Sequence, residues 1–523
     1  MGNYFFIDGK KIPFEPGESI LKAALRAGFD IPHYCYHPSL STPATCRMCL
    51  IDVVDSGNGK GLPTLQTSCT TLAKADIKIS AQGEKVVRAR EGVLEFLLVN
   101  HPLDCVICDQ AGECTLQDFA FEYGSGVSIV NHEKRVYGLR KIGSFLELER
   151  NRCIHCTRCV RFSQEITGNS ELGTFGRGHQ LTVDTFIDKP LSDQFQGNLA
   201  DICPVGAITL KDFRFKKRVW KLKSVPSICD RCATGCSINL DHKDGTIYRI
   251  TPRENQEVNR WWMCDHGRVG FHDYYADDKL QKFYTKGSQK IDRSQALTNM
   301  LTTIKASAGS ICFINTASST LEEAYSLKLF AKLLGDKAKI YYPKPVAQRK
   351  DSDIWIDNLI SDDKSPNSRG LKLLGFSSLE EESFSKIIKD STDTIIVVGQ
   401  LNKSWQTLLS DITDNQRLIQ LTCLKNELLG GMGLGLPLIP VFEKSGIYVN
   451  RQGRAQKVNR LNFSNGTSLE ECSLWKNLAD ELDPIDNDQP KDNAEALIKL
   501  AESDKRWQDL TDKKLLAKGI LID

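Results

Sequence analysis

No apolar stretch of this 523-residue chain approaches the ~20 residues that a membrane-crossing helix needs, and runs such as Thr394–Gly399 (TIIVVG) are strand-sized. Neither a secretory h-region nor an Arg/Ser-rich transit stretch is present, and Met1–Phe6 runs straight into a strand pattern; the protein is expected to stay where it is made. Charge of one sign is missing too: 68 Lys and Arg against 66 Asp and Glu leave a net +2, without the basic excess of a nucleic-acid binder. There is no G-x4-G-K-[ST] motif, no fixed-period repeat and no low-complexity segment. Gly431–Gly435 (GMGLG) lacks the G-x-G-x-x-G order and a strand before it, so it reads as a loop. Hydrophobic residues at 41% and charged residues at 26% mark a globular protein. The length predicts three or four domains of ~150 residues.

The back half is also poor in cysteine. Of 18 cysteines only Cys312, Cys423 and Cys472 lie beyond residue 265, each isolated. The other fifteen fall into four groups. The first is Cys35, Cys46, Cys49 and Cys69; the second is Cys105, Cys108 and Cys114, preceded by His101 as H-x3-C-x2-C-x5-C. The third is Cys153, Cys156 and Cys159 (C-x2-C-x2-C) with Cys203 in Cys203-Pro204; the fourth is Cys229, Cys232 and Cys236 (C-x2-C-x3-C), closed by Cys264. In a reducing cytosol such cysteines read as metal ligands or catalytic thiols. With His101 they make four sites of four and leave no front cysteine over.

Structural zinc also takes four cysteines, or three and a histidine, usually as two separated C-x2-C pairs. The third and fourth groups instead bring three thiolates onto one loop with a distant fourth, which suits an iron–sulfur cubane. Two-cluster ferredoxins use C-x2-C-x2-C-x3-C-P twice, the fourth Cys of each run ligating the other cluster. Here Ser163 replaces that fourth Cys, and Asp193, Gln196 and Leu199 stand at three places of the second run, before Cys203-Pro204. The pattern is that of a two-cluster module that has lost one cluster. A neutral His101 in place of a thiolate leaves its site less negative and raises its potential.

Residues 3–14 read as a hairpin turning at Asp8-Gly9, and Ser19–Ala27 as a helix ended by Gly28. Residues 56–63 (SGNGKGLP) read as an exposed turn. Residues 81–100 and Gln117–Tyr123 read as helices. Arg214–Lys223 (RFKKRVWKLK) reads as a solvated strand or linker, with a docking surface as the sharper reading. Beyond 285, the strand candidates Ile311–Asn315, Lys339–Tyr342 and Thr394–Gly399 alternate with helices, the first of which opens on the capping box Thr320-x-x-Glu323. That alternation predicts a doubly wound α/β domain.

The ligand series, with Asn100–Asp118 (NHPLDCVICDQAGECTLQD) at its centre, closely resembles the large iron–sulfur subunit family of respiratory complex I, the G subunits of NADH-quinone oxidoreductase. The likeness spans residues 1–280 and continues through Glu443–Gln456 (EKSGIYVNRQGRAQ). It implies a multidomain α+β and α/β chain: a β-grasp plant-type [2Fe–2S] ferredoxin domain (1–80), a helical [4Fe–4S] segment with one histidine and three cysteines (81–139), a ferredoxin-like [4Fe–4S] domain (140–222), a molybdopterin-oxidoreductase-type [4Fe–4S] segment (223–280) and a truncated molybdopterin-oxidoreductase-like α/β domain (281–523). Carried over by position, Cys35, Cys46, Cys49 and Cys69 hold [2Fe–2S]. His101, Cys105, Cys108 and Cys114 hold one [4Fe–4S], as do Cys153, Cys156, Cys159 and Cys203, and Cys229, Cys232, Cys236 and Cys264. The longer gap from Cys49 to Cys69 is absorbed by the insertion at 56–63.

The resemblance further implies an electron-relay subunit, not catalytic alone, in a proton-pumping NADH:quinone oxidoreductase. Electrons come from NADH through flavin on a partner, enter at the Cys35 cluster, pass to the Cys153 cluster and then the His101 cluster, and leave to a downstream iron–sulfur subunit. The Cys229 cluster, found in some bacterial members, lies off this route. The implied place is the peripheral arm on the cytoplasmic side of a bacterial inner membrane, touching membrane only through the complex. The short back half implies no molybdenum cofactor. Two rivals share parts of the pattern: an [FeFe]-hydrogenase-like enzyme, opposed by Ser163 and the isolated late cysteines, and a molybdopterin-dependent formate-dehydrogenase-like catalytic subunit, opposed by the short C-terminal half.

Overall fold

The computed structural model describes residues 3–128, 131, 133–186, 189–275, 279–285, 287, 289–345, 352–410, 412, 413, 415–425, 433–461, 468–485, 487–511, 515 and 518–522. They form two compact units, one of Met1–Leu222 with Ile354–Ile356 and one of Lys223–Asp353 with Asp357–Asp523.

The first unit begins with the expected hairpin. Tyr4–Ile7 pairs antiparallel with Lys10–Pro13, and Asp8 (φ 45°) and Gly9 (φ 80°) are both left-handed, as a two-residue type I′ turn requires. A mixed five-stranded sheet follows, in the order Lys10–Pro13, Tyr4–Ile7, Lys78–Ser80, Leu50–Asp55 and Gln66–Thr67. The helix Ile20–Arg26 is capped by Ser19 Oγ, which accepts from Lys22 N at 3.3 Å. It ends at Gly28, whose φ is 74°. Ile20, Leu21, Ala23 and Ala24 bury against Ile51, Val53 and Ile79 in one core. The insertion after Asp55 is an exposed loop in which Asp55 Oδ1 accepts from Gly57 N and Gly59 N.

Helices Glu84–Leu98 and Thr115–Tyr123 follow. Arg90 is fully buried and ties the first of them to its neighbours, donating to Tyr123 Oη (3.1 Å) and the Leu50 carbonyl (3.2 Å). Next come a three-stranded sheet (Ile208–Leu210, Leu146–Leu148, Arg140–Lys141) and the short helices Arg158–Arg161 and Asn198–Ile202. Ser163 is buried and donates to the Asn169 carbonyl. Gln196 Nε2 donates to the carbonyls of Leu191 (3.1 Å) and Asp193 (2.9 Å), and Leu199 is core.

The basic stretch after Arg214 departs from a solvated strand or linker. Arg214 ion-pairs with Glu147, Arg218 donates to the carbonyls of Cys108 (2.6 Å) and Val106, and only a single turn, Val219–Lys221, is regular before the strand at Lys223. Arg214 and Arg218 are thus engaged within the fold, Arg218 with carbonyls of the Cys105–Cys114 segment, while Lys216, Lys221 and Lys223 are exposed as a solvated stretch would be.

The second unit opens with the antiparallel strands Lys223–Ile228, Ser237–Lys243 and Thr246–Pro252. Its main sheet has eight strands, ordered Gln289–Ile291, Phe283–Thr285, Gly433–Pro437, Arg417–Thr422, Thr392–Val398, Ser310–Asn315, Ala338–Pro343 and Ser377–Leu379. The last six are parallel to one another. The chain winds outward from Ser310–Asn315 on one side, then returns and winds out on the other, the doubly wound order. The capping box forms as expected: Thr320 Oγ1 accepts from Glu323 N, and Glu323 Oε2 accepts from Thr320 N, at the head of Leu321–Leu333. The GMGLG segment departs from the loop reading. Gly433–Pro437 is a strand, and a Cβ on Gly433 would sit 1.9 Å from the Leu418 carbonyl oxygen; strand pairing, not nucleotide contact, calls for that glycine. Gly431 and Met432 lie outside the described residues.

At the carboxyl ends of these strands a cavity of about 420 Å³ opens, with Thr316, Ser318, Gly399 and Lys444 among its lining. Lys444 is buried and internally engaged: its Nζ lies 2.8 Å from Glu323 Oε2, 3.6 Å from Glu471 Oε1 and 3.1 Å from the Ser318 carbonyl. Burial pushes the Glu471 carboxyl up to about 7, with Glu323 adding to the rise and Lys444 opposing it. Removing one partner of a buried charge cluster strands the others without compensation. Lys444→Met is therefore expected to destabilise the second unit by ~3–5 kcal/mol, read as a lowered denaturant midpoint for that unit's transition in the full chain; an unchanged midpoint would contradict this.

Candidate metal centres

Each cysteine group sits on a loop whose backbone is forced into an unusual shape. Ala44 (φ 55°) and Arg47 (φ 60°) are left-handed beside Cys46; His155 (φ 53°) and Thr157 (φ 58°) separate Cys153, Cys156 and Cys159; Gly112 (φ 92°) and Gly235 (φ 62°) precede Cys114 and Cys236. Non-glycine residues in this region carry strain that clusters at functional sites. Backbone N–H groups in and beside these loops lie against sulfur. Cys35 N lies 3.5 Å from Cys46 Sγ, His155 N 3.4 Å from Cys153 Sγ and Gly267 N 3.4 Å from Cys264 Sγ.

In the first group the thiols of Cys35 and Cys46 hydrogen-bond each other, as do those of Cys49 and Cys69, and Cys35 acts electrostatically on both Cys49 and Cys69. The bond from Cys46 pulls Cys35 down to about 5, and the bond from Cys69 pulls Cys49 down to about 7; their partners move up.

In the second group His101, Cys105 and Cys114 line one apolar cavity of about 560 Å³. Cys108 lies against Gly206, where a Cβ would stand 2.1 Å from its Sγ; Cys105 and Cys108 both act on Cys114. Cys105 is exposed and the other two cysteines buried. His101 Nδ1 is buried without a hydrogen-bond partner. Burial first, then Lys134 and Arg152, hold its imidazole near 4, neutral at pH 7, the form that ligates metal.

Cys153, Cys156, Cys159 and Cys203 of the third group all line one small enclosed space with Ile154, Val183 and Val205. Burial pushes Cys156 up to about 11 and Cys153 to about 12, while N–H groups of Val205, Ile208 and Ala207 oppose the rise at Cys203. Burial also lowers Arg158 from its ordinary value, and the thiolates of Cys156, Cys203 and Cys35 work the other way.

The fourth group belongs to the second unit. Cys229 N donates to the Cys236 carbonyl at 2.9 Å, Cys264 caps the helix Asp265–Val269, and a Cβ on Gly267 would stand 3.0 Å from Cys229 Sγ and 3.6 Å from Cys264 Sγ. Burial and the neighbouring thiolates raise Cys236 well above the ordinary thiol value. The loop is held from outside. Ala233 N donates to the Asp363 carbonyl (2.9 Å), Arg451 N to the Ala233 carbonyl (2.7 Å) and Thr234 Oγ1 to the Leu359 carbonyl (2.8 Å).

Sequence reasoning passed over two buried side chains. Tyr34, T-shaped against Phe119 at 5.5 Å, has an unpartnered hydroxyl in the electrostatic range of Cys46 and Cys114, ligand candidates of different groups. Gln456 is buried with both amide atoms unpartnered, its Oε1 3.0 Å from where a Cβ on Gly235 would be. Its only sequence signal is its place in the Glu443–Gln456 segment. Cys472 donates to the Glu322 carbonyl at 3.8 Å, and Cys423 lines a cavity with Asp230, Arg231 and His266, neighbours of the fourth group's cysteines. Among the described residues no three His, Cys, Asp or Glu side chains are drawn tightly enough to hold one metal ion. The grouping rests on shared loops, shared cavities and mutual electrostatics. The donor chemistry, soft thiolates with one neutral imidazole and N–H groups aimed at sulfur, fits iron–sulfur clusters.

Four family models match in order: a 2Fe-2S iron-sulfur cluster binding domain over residues 4–84, the NADH-ubiquinone oxidoreductase-G iron-sulfur binding region over 90–128, the ferredoxin-like domain of NADH-quinone oxidoreductase subunit 3 over 143–209, and the molybdopterin oxidoreductase Fe4S4 domain over 222–275. The G subunit of NADH-quinone oxidoreductase from Rickettsia conorii is 37% identical over 333 residues, 63% of this chain and 49% of that protein. The NADH-ubiquinone oxidoreductase 75 kDa subunit of Reclinomonas americana is 44% identical over 263 residues, 50% of this chain and 37% of that one. A crystal structure of NAD+-reducing [NiFe]-hydrogenase in the H2-reduced state is 31% identical, with a TM-score of 0.37, covering 42% of this chain and 92% of that one. The chain spans about half the length of the Rickettsia conorii protein and a smaller share of the Reclinomonas americana one.

Two outcomes are expected. Gly206→Ala, which drives a methyl group into Cys108, should cost the purified chain about four irons while leaving the binuclear EPR signal intact; full iron content would contradict the assignment of Cys108. Thiols held protonated by burial must give up protons to bind metal, so iron uptake by metal-free chain should strengthen as pH rises from about 6.5 to about 8.5. Uptake that strengthens in acid would contradict it.

Proposed function

Because its first 275 residues carry, in order, the iron–sulfur regions of the large iron–sulfur subunit family of NADH-quinone oxidoreductase, we propose that this chain is the electron-relay subunit of an NADH:quinone oxidoreductase. The observation that carries the reading is the set of four ligand groups in the family's order, with His101 presenting a buried, unpartnered, neutral imidazole nitrogen beside three cysteines.

Bound in these groups, one [2Fe–2S] and three [4Fe–4S] clusters would supply one-electron redox chemistry with little structural change. Cys35, Cys46, Cys49 and Cys69 would hold the binuclear cluster. His101 with Cys105, Cys108 and Cys114, Cys153 with Cys156, Cys159 and Cys203, and Cys229 with Cys232, Cys236 and Cys264 would hold the cubanes. The chain's own part is to exclude water, fix the ligands and direct N–H groups at sulfur, which tunes potential. The five domains are those of the family: 1–80, 81–139, 140–222, 223–280 and 281–523.

The partners on this reading are a flavin- and NADH-binding subunit and a downstream iron–sulfur subunit, in the peripheral arm on the cytoplasmic side of a bacterial inner membrane. No helix of the described residues is long and apolar enough to cross a membrane, so membrane contact would come through the complex. The strongly apolar, exposed side chains near the second group, Phe96, Leu103, Val106 and Phe121, support burial of that face in an assembly.

The test is made in the assembled complex. His101→Cys, which restores a fourth thiolate, should lower the midpoint potential of one cubane, and Cys153→Ser should abolish NADH-driven quinone reduction with the complex still assembled. Cys229→Ala should weaken assembly more than electron flow through what assembles. Full quinone reduction by the Cys153→Ser complex would refute the relay reading.

A further inference from the structure

Two arginines on one short helix join the first ligand loop to the third. Arg158 and Arg161, three residues apart and so on one face, flank Cys159. Arg161 Nη2 donates to the carbonyl of Cys35 and, at 3.3 Å, to that of Cys156, so one nitrogen contacts a ligand candidate of each group. Its Nη1 donates to the Ser41 carbonyl. Arg158 donates to the carbonyls of Tyr36 and, at 3.3 Å, Ile202, the neighbours of Cys35 and Cys203. Glu165, one turn on, accepts from Ser41 N at 2.8 Å and from Ser41 Oγ. Residues 35–41 are thus fastened to residues 156–165 by the group-three helix and its continuation.

The charge of this brace matters as much as its bonds. Arg161 is only 7% exposed. Among the described residues, neither Arg158 nor Arg161 has a carboxylate within ion-pair distance; Arg158 donates to carbonyls alone, and Arg161 to carbonyls and the Thr157 hydroxyl. A buried guanidinium keeps its charge, and an uncompensated buried charge is costly. Thiols of both ligand sets act on this pair: those of Cys156, Cys203 and Cys35 on Arg158, and that of Cys156 with Arg161, while the Glu165 carboxylate is taken up by Ser41. A salt bridge would have made Arg161 a structural cation; its absence leaves the metal–thiolate groups as its counter-charge.

Resting on the iron–sulfur reading above, we propose that Arg161, seconded by Arg158, is a positioning residue that locks the first ligand loop to the third and supplies the shared positive charge facing the clusters those loops hold. A positive charge next to a cluster favours the reduced form, which carries one more negative charge, so it raises the potential of both. No proton or bond is involved: the added electron comes from the titrating reductant and stays on the cluster. Arg161 therefore acts on two centres together, and the other two lie outside its contacts.

The experiment uses the full chain purified anaerobically as wild type, Arg161→Gln and Arg161→Lys, with iron and sulfide assayed and each signal followed by EPR during titration with dithionite and mediators. Arg161→Gln is expected to keep its iron and to disfavour reduction of the binuclear cluster and one cubane about tenfold, ~59 mV for one electron, with the other two cubanes unmoved. Arg161→Lys keeps the charge and loses the fork; it should hold the potentials near wild type while weakening the magnetic interaction between the two reduced centres. Should Arg161→Gln take up no iron, Arg161→Lys carries the test: weakened interaction supports the proposal, and wild-type interaction overturns it. Unchanged potentials in an iron-replete Arg161→Gln also overturn it. Absence of iron from the wild type would defeat the cluster reading itself, a result distinct from either.

Discussion

A thiol taken out of water stays protonated unless something positive takes the proton's place, and most of this chain's candidate cysteine ligands live under that constraint. Burial raises Cys153, Cys156, Cys159, Cys229 and Cys236, while the loops that carry the groups turn N–H donors toward sulfur, which only an ionised sulfur fully rewards. The loops reach that shape by placing Arg47, His155 and Thr157 in the left-handed region, at a cost of about 1–2 kcal/mol each. Such strain persists where surroundings over-determine it. Thiolate–metal bonding, which couples ligand ionisation to folding free energy, would resolve both tensions at once.

The rest of the architecture supplies the over-determination. In the first unit the ligand loops are fastened by side chains that reach out of helices and turns: Arg90 to the Leu50 carbonyl, Arg152 to Asp104 (2.8 Å), Arg158 and Arg161 to the Cys35–Ser41 stretch, and Arg218 to the Cys108 carbonyl. Arginine suits the task because its planar fork satisfies several carbonyls while its charge faces thiolates. In the second unit, residues outside the doubly wound sheet do comparable work for the fourth group. Asp363, Leu359, Asn450 and Arg451, all from the segment beyond residue 285, bond the Ala233–Thr234 stretch. The α/β region thus has a visible structural task, gripping one ligand loop.

Local chemistry made part of this readable in the sequence. The Asp8-Gly9 turn, the Ser19 and Thr320 caps, and the parallel strands around Ile311–Asn315 and Thr394–Val398 depend on neighbours a few residues away or on unbroken apolar runs, and each is found where the pattern placed it. Within each cysteine group the close members stood out by their short spacing, whereas Cys69, Cys203 and Cys264 lie far along the chain from theirs. What escaped depends on contacts across long stretches of chain. Arg214 and Arg218 looked solvated with the rest of their stretch because their partners, Glu147 and the Cys108 carbonyl, are 67 and 110 residues away. GMGLG looked like a loop because the reason for Gly433 is the Leu418 carbonyl of an adjacent strand. Arg161 and Tyr34 lie beside cysteines in the sequence but carry no motif; folding alone brings Arg161 to the Cys35 carbonyl, Tyr34 into range of Cys114 and Gln456 to Gly235.

The central claim is that four groups of side chains hold iron and inorganic sulfide. Its most direct measurement is metal and sulfide analysis of the full chain purified without oxygen, with Mössbauer spectroscopy to sort the iron by cluster type. The account predicts about 14 irons with matching sulfide, one binuclear and three cubane centres. A colourless protein with about four zinc ions and no labile sulfide would contradict it.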